Sequence, residues 1–233
     1  MDGKVAQLYA LITDGSAAAT DALLSGDRGL AMTLMEREKE FDGLYRQIED
    51  VASATLALQG PVAADLRFLL TVLRIVPELE RSHDLVDHIA RRADRNLRDL
   101  LTPRARGLVE RMGALAVDMW RRSSDAWAER DGHAGHQLAE LDEEMDSLHA
   151  MLMGELAAAG CGIPVAMEMA LVARFYERLG DHAVNVTSKV AFLVGAERSL
   201  ETHEEAERKA RHTASGNSAL SDSSGRSAGD RIG

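Results

Sequence analysis

The sequence predicts an all-α protein built from two tandem, pseudo-symmetric three-helix bundles followed by a disordered C-terminal tail. Apolar residues make up 45% of the 233 residues, whereas aromatic residues make up only 4%. Leu, Ala and Met dominate the apolar fraction, which favours helix packing over a sheet core. A third observation is an internal repeat, in which the same order of helical segments occurs in both halves. The length allows one large domain or two small ones.

Six helices are predicted from apolar residues at helical spacing and from the breaks between them. Glycine ends helices, Asp and Thr cap helix starts, and proline fits the first helical turn. The predicted helices run over 4–25, from Asp27 to about Leu58, from Pro61 to about Asn96, from Pro103 to the break at Asp131-Gly132, from that break to Gly160, and from Pro164 to about Gly195.

The two halves repeat each other residue by residue. An offset of 104 superposes the second helix on the fifth, and an offset of 97 superposes the third on the sixth. Both offsets superpose acidic pairs with i, i+4 spacing: Glu38/Asp42 on Asp142/Asp146, and Glu80/Asp84 on Glu177/Asp181. Short breaks between long helices imply antiparallel neighbours, so each half is predicted to be an up-down-up bundle. The first repeat is assigned to residues 1–98 and the second to 99–199.

The composition changes after about Leu200. Glu201–Arg211 is highly charged, and the following residues are rich in Ser and Gly without any aromatic residue. Such a segment buries too little apolar area to offset its ordering entropy. We therefore expect residues 200–233 to form a disordered tail.

Charge and cysteine content exclude several classes of protein. A net charge of −11 argues against nonspecific nucleic-acid binding. Cys161 is the single cysteine, which excludes a disulfide framework and fits a reducing compartment. No apolar run is long enough for a transmembrane helix, and the N-terminal residues do not resemble a signal peptide. We expect a soluble, cytoplasmic protein.

The acidic pairs are the candidate functional residues. Spacing of i, i+4 places both carboxylates on one face of a helix. In the third helix, the apolar stripe through Val76 continues to Glu80 and Asp84. A carboxylate beside a core needs a partner, which could be an arginine such as Arg81 or a hard cation. Pairing with arginine would make the protein a metal-free helical adaptor. The repetition of the acidic pairs on equivalent helices favours binding of a cation.

The motif Glu177-Arg178-Leu179-Gly180-Asp181, the acidic pair on the preceding helix and the duplication resemble the PhoU family of phosphate-signalling regulators. The segment from Gln59 to Arg67, with Gly60-Pro61 and Asp65-Leu66-Arg67, is also similar to that family. The resemblance covers about residues 5–195. It implies the PhoU-like six-helix architecture of two similar three-helix bundles, usually in a homodimer, and it implies no catalytic activity.

The resemblance also implies a cofactor and partners. Family members bind multinuclear iron, zinc or other metal clusters, and repress the phosphate-starvation response when phosphate is plentiful. They act through a sensor histidine kinase and the ATPase component of the phosphate ABC transporter. The protein would therefore associate with a membrane only indirectly, through these partners. The resemblance implies that the metal ligands of this chain are Glu38, Asp42, Glu80 and Asp84 in one bundle and Asp142, Asp146, Glu177 and Asp181 in the other. Asp87 and Asn185 would be additional oxygen ligands.

The first repeat departs from the family pattern in two ways. It has Ser82-His83 where the family has an aliphatic residue and glycine, and we expect His83 at the edge of the site. Pro77 is predicted to kink the third helix one turn before Glu80. The second-repeat site should therefore be the better formed. His88 and His182 are expected to face solvent.

The alternative function is a di-iron carboxylate enzyme on a helical bundle. That class requires the motif Glu-x-x-His twice. Glu80-Arg81-Ser82-His83 matches it once, but the equivalent Glu177-Arg178-Leu179-Gly180 does not.

Overall fold

Helices account for nearly all of the backbone. The structure, a computed structural model, describes residues 1–95, 97–158 and 161–221. Its helices are α1 (Asp2–Ser25), α2 (Arg28–Glu36), α3 (Glu38–Gln59), α4 (Ala63–Ala90), α5 (Pro103–Glu129), α6 (Ala134–Ala158) and α7 (Ile163–Ser221). Two 3₁₀ segments, Arg91–Arg95 and Leu97–Leu100, lie between α4 and α5. The described residues contain no strand, and the all-α prediction is confirmed.

The helix ends follow local chemistry that the sequence makes visible. The Asp27 side chain accepts a hydrogen bond from the backbone N–H of Leu30 at 3.0 Å and caps α2. Thr102 caps α5 in the same way, accepting from Ala105 at 3.0 Å. Gly26 ends α1 with a φ of 74°, in the left-handed region that glycine tolerates without steric cost.

The first half differs from the prediction in two places: one predicted helix contains a break, and another ends earlier. The predicted second helix is divided at Arg37 into α2 and α3. Arg37 keeps helical angles (φ −72°, ψ −13°), but its N–H bonds to Leu34 only three residues back, as in a 3₁₀ turn. Likewise α4 changes to 3₁₀ geometry at Arg91 instead of continuing to Asn96.

The end of the last helix also differs from the prediction. α7 continues to Ser221, well beyond Gly195. Glu201–Arg211 consists largely of Glu, Ala, Lys and Arg, which are strong helix formers even when they bury nothing. The remaining part of the predicted tail, 222–233, lies outside the described residues, so only for these residues does the disordered tail stay a prediction.

Both halves contribute to one hydrophobic core. Residues Met1–Val194 form one compact unit, which ends within α7. Tyr9 of α1 packs on Trp120 of α5 with ring centroids 6.0 Å apart, and Phe68 of α4 packs on Trp127 at 5.9 Å. Both tryptophans are at most 2% exposed. Tyr9 and Phe68 of the first repeat therefore pack against the tryptophans of the second.

The two helices that carry the repeated motif, α4 and α7, pack antiparallel. His88 near the end of α4 stacks on Phe175 in the first half of α7, at 5.4 Å between centroids. Arg74, earlier in α4, lies over Phe192, later in α7, at 5.5 Å. Among the helices of the described residues, none has the length and apolar character that crossing a bilayer requires.

Candidate metal centre

Four carboxylates meet where α6 approaches α7. The pKa of Asp142 is raised to about 6, first by burial and then by repulsion from Asp181, Asp146 and Glu177. Charges must lie within a few ångströms of one another to interact in this way. The fold thus brings together the four residues that were predicted as ligands in the second bundle.

Gly180 allows the close approach of these two helices. A Cβ atom at this position would lie 2.8 Å from Oδ1 of Asp142, closer than non-bonded atoms tolerate. The same Cβ would lie 3.4 Å from Cε and Sδ of Met119. The glycine of the motif therefore lets a carboxylate of α6 lie directly against the backbone of α7.

Glu177 provides a buried oxygen without a protein partner. Its Oε1 accepts a hydrogen bond from Nη1 of Arg174, one turn earlier on α7. Its Oε2 is buried and has no hydrogen-bond partner. Burial raises the pKa of Glu177, Arg174 lowers it, and Asp181 raises it again. Because buried polar atoms are nearly always satisfied, Oε2 of Glu177 is left without the hydrogen-bond donor or cation that its burial calls for.

The predicted ligands of the first bundle also gather, but in a more open setting. Burial raises the pKa of Glu80, as do the charges of Asp84 and Asp42, while Arg81 opposes the shift. Asp42 is paired with Arg46 at 3.3 Å, so part of this charge is already neutralised. The side chains of Glu38, Asp42 and Asp84 are exposed. The arginine-paired interpretation has direct support at Asp42 in this bundle, as it has at Glu177, the partner of Arg174, in the second.

His83 takes the place that glycine has in the second bundle. Its ring is 6% exposed and stacks on Phe41 of α3 at 4.3 Å between centroids. Burial lowers its pKa, against the opposing charges of Asp84, Glu38 and Asp42. His83 therefore adjoins the acidic residues while its ring packs on the core.

Asp87 is more deeply buried than the four residues predicted as first-bundle ligands. It is 4% exposed, and burial raises its pKa to about 6 although Arg91 lies 3.7 Å away. The sequence placed Asp87 only as a further oxygen, one turn beyond Asp84. In the second bundle the further oxygen that was predicted, Asn185, is exposed.

A charged cluster between the two motifs was not found from the sequence. Oε2 of Glu78 on α4 lies 3.2 Å from Nδ1 of His182 on α7. Oε1 of Glu78 lies 3.3 Å from Arg81 and 3.6 Å from Lys189. These contacts join the helices that carry the two motifs.

The prediction that His182 faces solvent was wrong, since the side chain is only 7% exposed. The signal was present in the sequence: His182 lies three residues after Leu179 and four before Val186, and both are buried. This spacing places it on the buried stripe of α7. His88, by contrast, is exposed as expected.

The acidic clusters are not preformed metal sites. Within the ranges that the structure describes, no group of three or more His, Cys, Asp or Glu residues is arranged to hold a metal ion. The eight metal ligands therefore stay predictions. The donor chemistry nevertheless fits a cation, because the second cluster combines mutually repelling carboxylates with an orphaned oxygen of Glu177.

The chain resembles known proteins in sequence and in structure. The family model of the PhoU domain matches residues 5–93 and 109–190, once in each half of the chain. The chain is 32% identical over 195 residues to "Phosphate-specific transport system accessory protein PhoU homolog 1" of Mycobacterium tuberculosis, covering 82% of this chain and 88% of that protein. It is 31% identical over 202 residues to the PhoU homolog of Synechocystis, covering 85% and 89%.

Two crystal structures share the fold. PhoU from Pseudomonas aeruginosa has a TM-score of 0.76 and 27% identity, covering 82% of this chain and 94% of that one. The phosphate transport system regulatory protein PhoU from Streptococcus pneumoniae has a TM-score of 0.72 and 22% identity, covering 82% and 91%. At that lower identity the similarity concerns the fold alone.

Proposed function

The chain belongs to the PhoU family, and on this premise we propose that it is a regulatory adaptor of phosphate uptake rather than an enzyme. The observation that carries the proposal is the match of the family model to both repeats, over residues 5–93 and 109–190. The relatives from Mycobacterium tuberculosis and Synechocystis are named as accessory proteins of the phosphate-specific transport system. They support the same role for this chain.

The proposed action is negative regulation of the phosphate-starvation response in the cytoplasm. The partners would be a sensor histidine kinase and the ATPase component of the phosphate ABC transporter, with the adaptor acting as a homodimer. Family membership supports these partners; the periodicity of the sequence does not identify them.

We also propose that the acidic clusters bind metal, with iron or zinc as the expected ions. Asp142, Asp146, Glu177 and Asp181 would hold the ions in the second bundle, and Glu38, Asp42, Glu80 and Asp84 in the first. A bound cation would neutralise the repelling carboxylates and join neighbouring helices. The repulsion at Asp142 and the orphaned Oε2 of Glu177 support this proposal.

Deletion of the gene tests the regulatory role. We expect expression of phosphate-responsive genes at high phosphate to rise in the deletion strain and to return to normal when the wild-type gene is supplied. Co-purification of the kinase and the transporter ATPase with the tagged adaptor would identify the partners. Unchanged expression in the deletion strain would contradict the regulatory role.

Elemental analysis of protein purified without chelator tests the metal proposal. We expect bound metal, most of it lost in the double variant Glu177→Ala, Asp181→Ala and less of it lost in Glu80→Ala, Asp84→Ala. The expected difference follows from Gly180, which lets Asp142 lie against α7 in the second bundle, whereas His83 occupies the equivalent position in the first. Wild-type protein without metal would favour the metal-free adaptor, whereas a metal-dependent oxidase activity would favour the di-iron enzyme.

A further inference from the structure

An apolar groove lies where α7 begins. Its walls are the first turns of α7, with Ile163 and Met167, and the 3₁₀ segment Leu97–Leu100, and its volume is about 450 Å³. Ile163 is 77% exposed and Met167 is 64% exposed. Leu171, one turn further along α7, is also exposed, so apolar side chains face solvent over about 12 Å of this helix. Contiguous exposed apolar surface of this kind marks an interaction site.

The first repeat does not carry the same apolar stripe. The offset of 97 places Leu70 at the position of Met167 and Arg74 at the position of Leu171. Arg74 is charged, and its guanidinium lies over the ring of Phe192 at 5.5 Å. The exposed stripe on α7 is therefore not a requirement of the helix packing that both repeats share.

The chain beside the groove is basic, although the protein as a whole is acidic. Residues 91–106 contain six arginines and two aspartates, whereas the net charge of the whole chain is −11. Nε of Arg92 lies 3.1 Å from Oε2 of Glu168, and Nη1 of Arg95 contacts the other oxygen of this carboxylate. The side chain of Arg95 is 55% exposed and that of Glu168 only 20%. Two guanidinium groups thus share one carboxylate at the edge of the groove, and positive charge faces solvent there.

Shape and charge together favour one kind of occupant. An amphipathic helix fits a groove of this length, because it inserts apolar side chains from successive turns. Acidic residues on the flank of such a helix would meet the arginines beside the groove. In a twofold contact between two copies of the chain, the same arginines would instead face one another. A bilayer surface is flat on this scale and would leave the concave groove unfilled.

We propose that this groove binds an acidic amphipathic helix of a partner protein. Ile163 and Met167 contact the apolar face of that helix, and Arg95 contacts its carboxylates. The inference rests on the proposed adaptor role, which requires a protein partner, and adds to it a surface and the chemistry of the partner. The groove does not include any of the eight predicted metal ligands.

Fluorescence anisotropy with synthetic peptides and the full-length protein tests the inference. The probe is a labelled, alanine-based peptide of about 15 residues, the length at which isolated helices begin to form. It has Leu on successive turns of one face and Glu on both flanks, and a second peptide has Lys in place of Glu. Wild type should bind the Glu peptide saturably and the Lys peptide at least about tenfold more weakly. This difference should decrease as the salt concentration rises.

Two double variants locate the apolar contact. Ile163→Gln, Met167→Gln should weaken binding of the Glu peptide at least about tenfold, because apolar area is no longer buried on binding. The matched control is Leu58→Gln, Val62→Gln, which changes two highly exposed apolar side chains where α4 begins. Because α4 has 28 residues, this control lies about 40 Å from the end of α4 that precedes the groove. The control should bind the Glu peptide as wild type does.

Two single variants test the charge. Arg95→Gln should weaken binding of the Glu peptide about two- to fivefold, as expected for the loss of one exposed ion pair. Arg122→Gln is the control, since Arg122 is an exposed arginine that pairs with Asp118 at 3.0 Å on α5. It should leave the affinity unchanged. Circular dichroism and thermal melting confirm that each variant has the helical content and stability of wild type.

Several results would overturn the inference. Wild type that binds neither peptide, or both equally, would contradict the acidic helix, and equal affinity of wild type and Ile163→Gln, Met167→Gln would place the binding elsewhere. Self-association in sedimentation that this double variant abolishes would assign the groove to a second copy of the chain. Binding to vesicles of phosphatidylcholine and phosphatidylglycerol that the variant abolishes would assign it to a membrane. The regulatory role stands or fails separately, in the gene-deletion experiment.

Discussion

Burial and three like charges act in the same direction on the carboxyl of Asp142. Together they raise its pKa from an ordinary value of 3.8 to about 6. A carboxyl whose pKa is higher in the folded state binds its proton more tightly when folded. Its favourable contribution to stability is complete below pH 4 and is lost as the pH rises through 6. A bound cation would favour the ionised form and reverse this preference.

We predict that Asp142→Asn removes part of the pH dependence of the metal-free protein. In chelator-treated protein the free energy of unfolding at pH 7 should rise by about 1 kcal/mol relative to wild type, a value reduced for solvent screening of a half-buried group. At pH 4 the two proteins should differ little, because wild-type Asp142 is then protonated. Urea denaturation at both pH values is the measurement.

Asp125→Asn is the matched control for that experiment, since Asp125 is exposed on α5. It removes the same charge without touching the acidic cluster. If Asp142→Asn showed the same pH profile as this control, the charge repulsion at the α6–α7 contact would be contradicted.

The candidate residues of the site could be predicted from the sequence. The difference between the acidic clusters of the two bundles could be predicted only in part. The i, i+4 spacing and the repeat offsets were enough to single out all eight acidic residues as candidate ligands, and their role as ligands stays a prediction. The replacement of glycine by His83 indicated which bundle differs. The sequence could not show that Oε2 of Glu177 lacks a partner or that Arg46 pairs with Asp42, because these facts depend on rotamers and on packing between helices.

At the scale of helices, α1 and α5 cross closely at Gly113. A Cβ atom at this position would lie 2.3 Å from Oγ1, 2.5 Å from Cγ2 and 2.9 Å from Cβ of Thr20. Thr20 is held in place, because its hydroxyl bonds to the carbonyl of Ser16 at 2.7 Å and to the hydroxyl of Tyr176 at 2.8 Å. Gly113 therefore allows the close contact between α1 of the first repeat and α5 of the second.

We predict that Gly113→Ala destabilises the protein by about 1–3 kcal/mol, the usual cost of overpacking a well-packed contact. Gly107→Ala, on the same helix, meets no atom within 4 Å and should stabilise by up to about 1 kcal/mol through helix propensity. Urea denaturation of both variants measures the difference. Equal stability of the two variants would contradict the close crossing.

Helix boundaries that have local capping chemistry were the easiest to predict. Asp27 and Thr102 cap α2 and α5 through bonds that reach only three residues along the chain, so the local sequence was sufficient. The division at Arg37 and the change to 3₁₀ geometry at Arg91 have no such local marker. The inward orientation of His182 follows from the buried stripe through Leu179 and Val186, but its partner Glu78 on α4 comes from a distant part of the chain.

For the whole molecule, the duplication suggested two bundles, but packing joins them. Tyr9 and Phe68 of the first repeat contact Trp120 and Trp127 of the second. The Thr20–Tyr176 hydrogen bond connects α1 to α7. A sequence repeat indicates that the two halves have a common origin and the same helical periodicity. It does not indicate which surfaces of the two halves pack against each other. One core serves both repeats within Met1–Val194.

We therefore predict that residues 1–98 alone do not form a stable monomer, whereas Met1–Val194 unfolds in one cooperative transition. Separated from α5 and α7, the first repeat would expose Tyr9 and other side chains that are fully buried in the complete protein. Apolar burial is the main favourable contribution to folding, and small domains have little to spare. Thermal unfolding followed by circular dichroism, together with sedimentation to detect association, compares the two chains. A cooperative melt of monomeric 1–98 would show that each repeat has a sufficient core of its own, and the shared aromatic contacts would then be an interface between domains.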